Sequence, residues 1–296
     1  AANKGRGGEI AAFSFNKQTG TLTYINEQAS GGDHPCYVSV DRTGKWVAAG
    51  NYSSGSVAIL PVQADGSLGA ADTIIQHEGS GVNKERQSKP HVHCTVFSND
   101  NRFLFVPDLG IDKVMIYAFD ESTGKLTAAP QPFARSADGA GPRHFCFHPS
   151  NKFAYLIEEM SGTVVVFDHK NGNLKNKQRI SSMPAGDTGN AAGADIHVSP
   201  DGKFLYTSNR ADANSIAIFK INPKTGKLVL AAHQSTLGKT PRNFNFDPTG
   251  NFLLVGNQNS DEIVIFKRDK ETGLLTDTQK RIQAGKPVCI KWIGVK

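Results

Sequence analysis

Short apolar runs alternate along the whole chain with turns rich in Gly, Asn, Asp, Ser and Thr, and the alternation repeats at a spacing of roughly 46 to 57 residues. Five segments line up: VSVDRTGKWVAAGN from Val38, TVFSNDNRFLFVPD from Thr95, FCFHPSNKFAYLIE from Phe145, IHVSPDGKFLYTSN from Ile196 and FNFDPTGNFLLVGN from Phe244. Each reads as a strand, a polar turn and a second strand. A third strand follows in every repeat (GSVAIL, DKVMIYAF, GTVVVF, NSIAIF, DEIVIF). Then come a turn, often Thr-Gly, and a fourth strand that begins with Leu. The unit is therefore a four-stranded antiparallel meander. A meander of this length, all strand and no helix, cannot bury both faces alone, and the repeat predicts radial packing as blades of a β-propeller.

The ends predict partial units. EIAAFSF and TLTYI near the start read as third and fourth strands, and PVCIKWI near the end reads as a first strand alone. The expectation is one propeller domain over residues 1–296, with sequence upstream of Ala1 absent from this chain. Thirty glycines and a hydrophobic fraction of 38% fit many turns, and no apolar stretch is long enough to span a bilayer. The net charge of +6 is spread among acidic residues and forms no run, which argues against a nucleic-acid partner and is compatible with an anionic small substrate. Cys36, Cys94, Cys146 and Cys289 have no CxxC spacing and each falls at the start of a predicted strand. They are expected as small buried hydrophobes in a reducing, cytoplasmic compartment, although an exported form with a removed leader fits the sequence too.

Hairpin geometry selects positions for chemistry. The start of strand one and the end of strand two lie side by side, so both face one end of the central channel. The strand-one column reads Cys36, His93, Arg143, Ala194, Arg242 and Val288. Asn51, Asp108, Glu158, Asn209 and Asn257 end strand two, and the column just past them reads Tyr52, Leu109, Glu159, Arg210 and Gln258. The first of these two is regular, as a structural turn requires. The other is irregular, as one asymmetric ligand requires. His93, Arg143, Arg242, Glu159 and Arg210 are expected to meet at one channel mouth, where arginines clamp phosphate or carboxylate oxygens and a Glu or His activates water.

Other uses of these residues stay open. An Arg there can cap strand ends or pair with the neighbouring acidic column. Asp195 is either an ion-pair partner between blades or a group that orients an Arg. His91, His144, His148 and His197 are expected to pack or hydrogen-bond inside blades, and His34, His91 and His93 share no short metal-binding motif. Neither a GxSxG elbow nor a GxxxxGK[ST] loop occurs, which argues against a serine hydrolase and a P-loop enzyme.

From about Gly8 to Ile293 the sequence resembles the lactonase family of seven-bladed propellers. The resemblance rests on HCTVFSND with His93, Gly-Ala-Gly-Pro-Arg-His through Arg143 and His144, the Glu-Glu pair ending at Glu159, Ala-Asp-Ile-His-Val-Ser-Pro-Asp-Gly from Ala194, Ser-Asn-Arg at Arg210 and Pro-Arg-Asn at Arg242. It implies an all-β seven-bladed propeller in which five complete repeats and two fragments are present. It also implies a catalytic set of His93, Arg143, Glu159 and Arg210 and no organic cofactor; beside that set, Arg242, Asp195 and His144 are expected as substrate-binding residues, with no metal. The implied reaction is hydrolysis of 6-phospho-D-glucono-1,5-lactone by a monomer or homodimer, with no nucleic-acid or membrane partner. Two alternatives are a lactonase or cyclase for an unphosphorylated, carboxylated substrate, and a non-catalytic propeller that binds proteins through exposed aromatic patches. Trp46 and Trp292 are expected to be packing residues within strands.

Overall fold

The computed structural model describes residues 7–186, 189 and 191–294. Among these residues two compact units form, one from 7–142 with 171–173 and 294, the other from the remainder. The first unit holds the hairpin β1 (Glu9–Asn16) and β2 (Thr21–Ala29) and two four-stranded sheets. These are β3 (Pro35–Val40), β4 (Trp46–Asn51), β5 (Ser56–Pro61) and β6 (Thr73–Gln76), then β7 (Val96–Phe97), β8 (Phe103–Asp108), β9 (Lys113–Phe119) and β10 (Leu126–Arg135).

Three such sheets make up the second unit. They comprise β11 (Pro142–Phe147), β12 (Phe153–Glu158), β13 (Thr163–Lys170) and β14 (Asn173–Ser181); β15 (Gly193–Val198), β16 (Phe204–Asn209), β17 (Ser215–Ile221) and β18 (Leu228–Ser235); and β19 (Pro241–Phe246), β20 (Phe252–Asn257), β21 (Glu262–Arg268) and β22 (Leu275–Gln283). In all five sheets the strands are hydrogen-bonded in chain order, so each repeat is the meander its pattern predicts. Single 3-10 turns follow β8 at Leu109–Ile111 and β20 at Gln258–Ser260. Among the described residues no helix is long and apolar enough to cross a membrane.

The second strands β4, β8, β12 and β16 are buried along their whole length, because both faces of a sheet's middle are covered. Fourth strands such as β18 keep exposed positions. An aromatic residue opens each second strand, and in four of the five a turn residue five positions earlier accepts its backbone N–H: Asp41 from Trp46 at 2.9 Å, Ser98 from Phe103 and Ser199 from Phe204 at 3.0 Å, and Asp247 from Phe252 at 2.7 Å. Those Asp and Ser residues repeat because they satisfy a donor that the turn would otherwise strand.

The same aromatics receive the next sheet's turn. Gly226, between β17 and β18, lies on the Phe153 ring, and Gly273, between β21 and β22, lies on Phe204. Tyr155 and Tyr206 add hydroxyl donors to the carbonyls of Gly226 (3.0 Å) and Gly273 (2.6 Å). Gly273 has φ of +77°, and a Cβ there would stand 2.5 Å from the Phe204 ring, so glycine is required on two counts. Gly273→Ala is expected to destabilise the protein by about 1–3 kcal/mol, read as a lowered urea midpoint at unchanged slope; an unmoved midpoint would mean that the turn relaxes freely.

The regular polar column closes the sheets onto one another. The side-chain amides of Asn51, Asn209 and Asn257 donate to the carbonyls of Ser30, Ser182 and Thr236, each in the segment that follows the preceding sheet or hairpin. Asp108 accepts from His77 Nδ1 at 2.7 Å and from the N–H groups of His91 and Gly110, while Glu158 pairs with Arg179 of its own sheet.

Two expectations need correction. Pro287–Ile293 forms no strand, because it has no neighbouring strand to complete a ladder; Asn243 and Asn245 of β19 hold Ile290 through its N–H (2.7 Å) and carbonyl (2.9 Å). Cys36 and Cys289 are exposed, Cys146 is half-buried near the end of β11 and only Cys94 is buried, so the cysteines do not behave as one class of core residue.

Candidate active site

Three positions in the column at the start of strand one prove to be β-bulges. Pro35 faces Asn51 while Tyr37 faces Gly50, and Pro241 faces Asn257 while Asn243 faces Gly256, which leaves Cys36 and Arg242 as extra residues. Between Gly193 and Ile196, two residues, Ala194 and Asp195, stand opposite Ser208 alone. A bulged residue is released from the ladder and its side chain is re-aimed.

Arg143, the second residue of β11, is 1% exposed although its charge is permanent. Its Nε donates to Glu159 Oε2 at 2.9 Å, and its Nη1 donates to His144 Nε2 at 3.2 Å and to the Ala194 carbonyl. Glu159 follows β12 and is buried; the same Oε2 takes Arg210 Nη2 at 2.9 Å. Arg210 follows β16 and reaches the carbonyls of Ala192 and Gly193 at 3.3 Å. Burial pulls the Arg210 guanidinium down to about 10, and the charges of Arg143 and Arg242 add to this against the pull of Glu159. Arg242, in β19, is half-buried and belongs to the same electrostatic cluster. Two guanidiniums thus share one carboxylate and a third acts on Arg210, an excess of positive charge in a poorly hydrated place.

Next to Arg143 lies a second network. His144 Nδ1 is 2.8 Å from Asp195 Oδ1, and His197 Nε2 is 3.0 Å from Asp195 Oδ2. The side-chain amide of Asn243 and the N–H groups of Ile196 (3.0 Å) and Phe244 (3.2 Å) also donate to this carboxylate. A hydrogen-bonded chain thus runs from Asp195 through His144 to Arg143. Burial and Arg143 push His144 down to about 4 against the opposing pull of Asp195, so it is a neutral imidazole at ordinary pH and its link to Asp195 is a hydrogen bond to a carboxylate. Asp195 is held well below the ordinary carboxylate range by the two histidines.

Asn243 escapes the sequence reading; His197 hydrogen-bonds within its own sheet as expected, and its spacing two residues from Asp195 on β15 could have named the partner. In the irregular column after strand two, Leu109 is fully buried core rather than a site residue. His93 lies in the other unit, just before β7. It is buried, its N–H donates to the Pro107 carbonyl at 3.0 Å, its Nδ1 is 3.9 Å from Cys36 Sγ and its ring meets Tyr52 edge-on at 5.4 Å. Among the described residues no three His, Cys, Asp or Glu side chains gather as a metal-ligand set.

The sequence model of the family described as Lactonase, 7-bladed beta-propeller, matches residues 1–292. The chain belongs to this lactonase family. Its fold is accordingly the all-β propeller of four-stranded antiparallel blades that the repeats predict, with the seven blades that the resemblance implies. Among its relatives, the 6-phosphogluconolactonase of Bacillus subtilis is 40% identical over 291 residues, 98% of this chain and 81% of that protein. That of Formosa agariphila is 41% identical over 270 residues, 90% and 76% respectively. The crystal structure of a putative 6-phosphogluconolactonase from Bacteroides fragilis superimposes with a TM-score of 0.91 at 41% identity, covering 97% of this chain and 80% of that one. A periplasmic gluconolactonase from Pseudomonas aeruginosa gives 0.92 at 37%, covering 97% and 81%.

Proposed function

We infer that this lactonase-family chain is a 6-phosphogluconolactonase, which hydrolyses 6-phospho-D-glucono-1,5-lactone to 6-phosphogluconate. The observation that carries the reading is the Arg143–Glu159–Arg210 cluster with Arg242 beside it, in a chain about two-fifths identical to proteins of that name. Buried guanidiniums in excess of carboxylate favour an anionic ligand and stabilise the oxyanion that forms when a lactone carbonyl is attacked. Water adds to the carbonyl carbon and gives its proton to a base, the ring C–O bond breaks, and the leaving ring oxygen takes up a proton as a hydroxyl. Glu159 is one proposed base. The family resemblance makes His93 another, a proposal of its own that a slow His93→Gln variant supports and an unimpaired one removes.

In this reading Arg242 binds the anion, and His144 and Asp195 act on substrate only through Arg143, because both ring nitrogens of the one and both oxygens of the other are already engaged. Arg242→Ala is expected to raise KM for the phosphorylated lactone about tenfold, the loss of one charge-assisted hydrogen bond, and to leave kcat within a few-fold. The deciding measurement compares hydrolysis of 6-phosphogluconolactone with that of unphosphorylated gluconolactone. A preference for the unphosphorylated compound would replace this reading by the second one, which the likeness to the Pseudomonas gluconolactonase favours. A cytoplasmic site of action belongs to the same proposal and is tested by cell fractionation.

A further inference from the structure

We propose that His144 and Asp195 are positioning residues for Arg143: the carboxylate fixes the imidazole tautomer, and the imidazole holds one guanidinium nitrogen so that another is left for a substrate oxygen. An ionised carboxylate only accepts, so the proton of the His144–Asp195 bond resides on Nδ1. Nε2 then carries a lone pair, and Arg143 Nη1 donates to it at 3.2 Å. With Nε bound to Glu159 and Nη1 shared between His144 and the Ala194 carbonyl, the guanidinium plane is fixed from three directions, while Nη2 has no protein partner among the described residues.

Asp195 is immobilised in turn. His197 and the N–H groups of Ile196 and Phe244 donate to it, and the Asn243 amide that does likewise cannot flip, because its oxygen accepts from Ile290 N at 2.7 Å. The opposite tautomer or an imidazolium would set an N–H of His144 against an N–H of Arg143. The charged and titratable groups that act on His144 are Arg143, Asp195 and His197; burial, Arg143 and His197 keep it neutral against the opposing pull of Asp195.

The kinetic part of this proposal rests on the lactonase reading; the tautomer does not. Long-range 1H–15N spectra of the native protein, with His144 assigned by its loss in His144→Gln, are expected to show Nδ1 protonated and Nε2 unprotonated from about pH 8 down to about pH 5.5. An Nε2–H form or an imidazolium in that range overturns the proposal. In lactone hydrolysis, His144→Leu is expected to lower kcat about 100-fold with little change in KM, the scale of a misdirected catalytic group. His144→Gln, whose Oε1 can accept from Arg143 in place of Nε2, is expected to recover most of that loss. If the Gln variant, folded by circular dichroism, is as slow as the Leu variant, His144 is only a spacer and the proposal fails. Should the native chain hydrolyse neither lactone, the lactonase reading falls and the spectra alone decide on the relay.

Discussion

Replacing Glu159 by Gln is expected to lower lactone turnover by about two to four orders of magnitude, the usual contribution of a positioned acid–base group. The substitution preserves shape and removes one negative charge. Since Oε2 of Glu159 lies 2.9 Å from both Arg143 and Arg210, the amide leaves two guanidiniums without their carboxylate. An anionic substrate should then bind at least as tightly, so kcat falls while KM holds or drops. That divergence separates a chemical role from a collapsed site, in which both parameters worsen. Initial-rate kinetics at several lactone concentrations measure it, and a kcat within threefold of the native value would remove Glu159 from the reaction.

A second large effect is expected in acid. His144 titrates at about 4 in the folded protein against 6.5 for an ordinary imidazole. Between those pH values the unfolded chain binds a proton that the native chain refuses, so stability falls as pH falls through this window. The displacement is worth about 3 kcal/mol. Asp195 acts in the same direction lower down: its depressed value stabilises the fold above the ordinary carboxylate range, and that contribution is lost as the medium becomes more acidic still. Urea unfolding at pH 7 and pH 4.5 reads the first effect, and His144→Gln, which has no imidazole to titrate, should lose most of the pH dependence in that interval. A variant with the native slope would place the acid sensitivity elsewhere.

The strands were legible because their causes repeat. The aromatic residues at Trp46, Phe103, Phe153, Phe204 and Phe252, the Asp or Ser five positions before four of them and the Asn-like column that ends each second strand recur because the turn into the second strand and the exit from it make the same demands in each sheet. Arg143, Glu159, Arg210 and Arg242 stood out for the opposite reason, as departures from a repeating frame. What the residues did not disclose depends on register. Only the bulge between Gly193 and Ile196 shows how Asp195 reaches His144, His197 and Asn243, and a one-residue offset cannot be read from alternation. Cys36, expected in the core, is exposed, as are Val38 and Val40 on the same face of β3.

The bulges also bear on how such a scaffold changes ligand. Cys36 and Arg242 are surplus to their ladders, so exchanging the side chain there leaves every rung of the sheet in place. Selection can therefore rewrite the chemistry of these positions at small cost to folding, and a single architecture can come to serve lactones that differ in their charged groups.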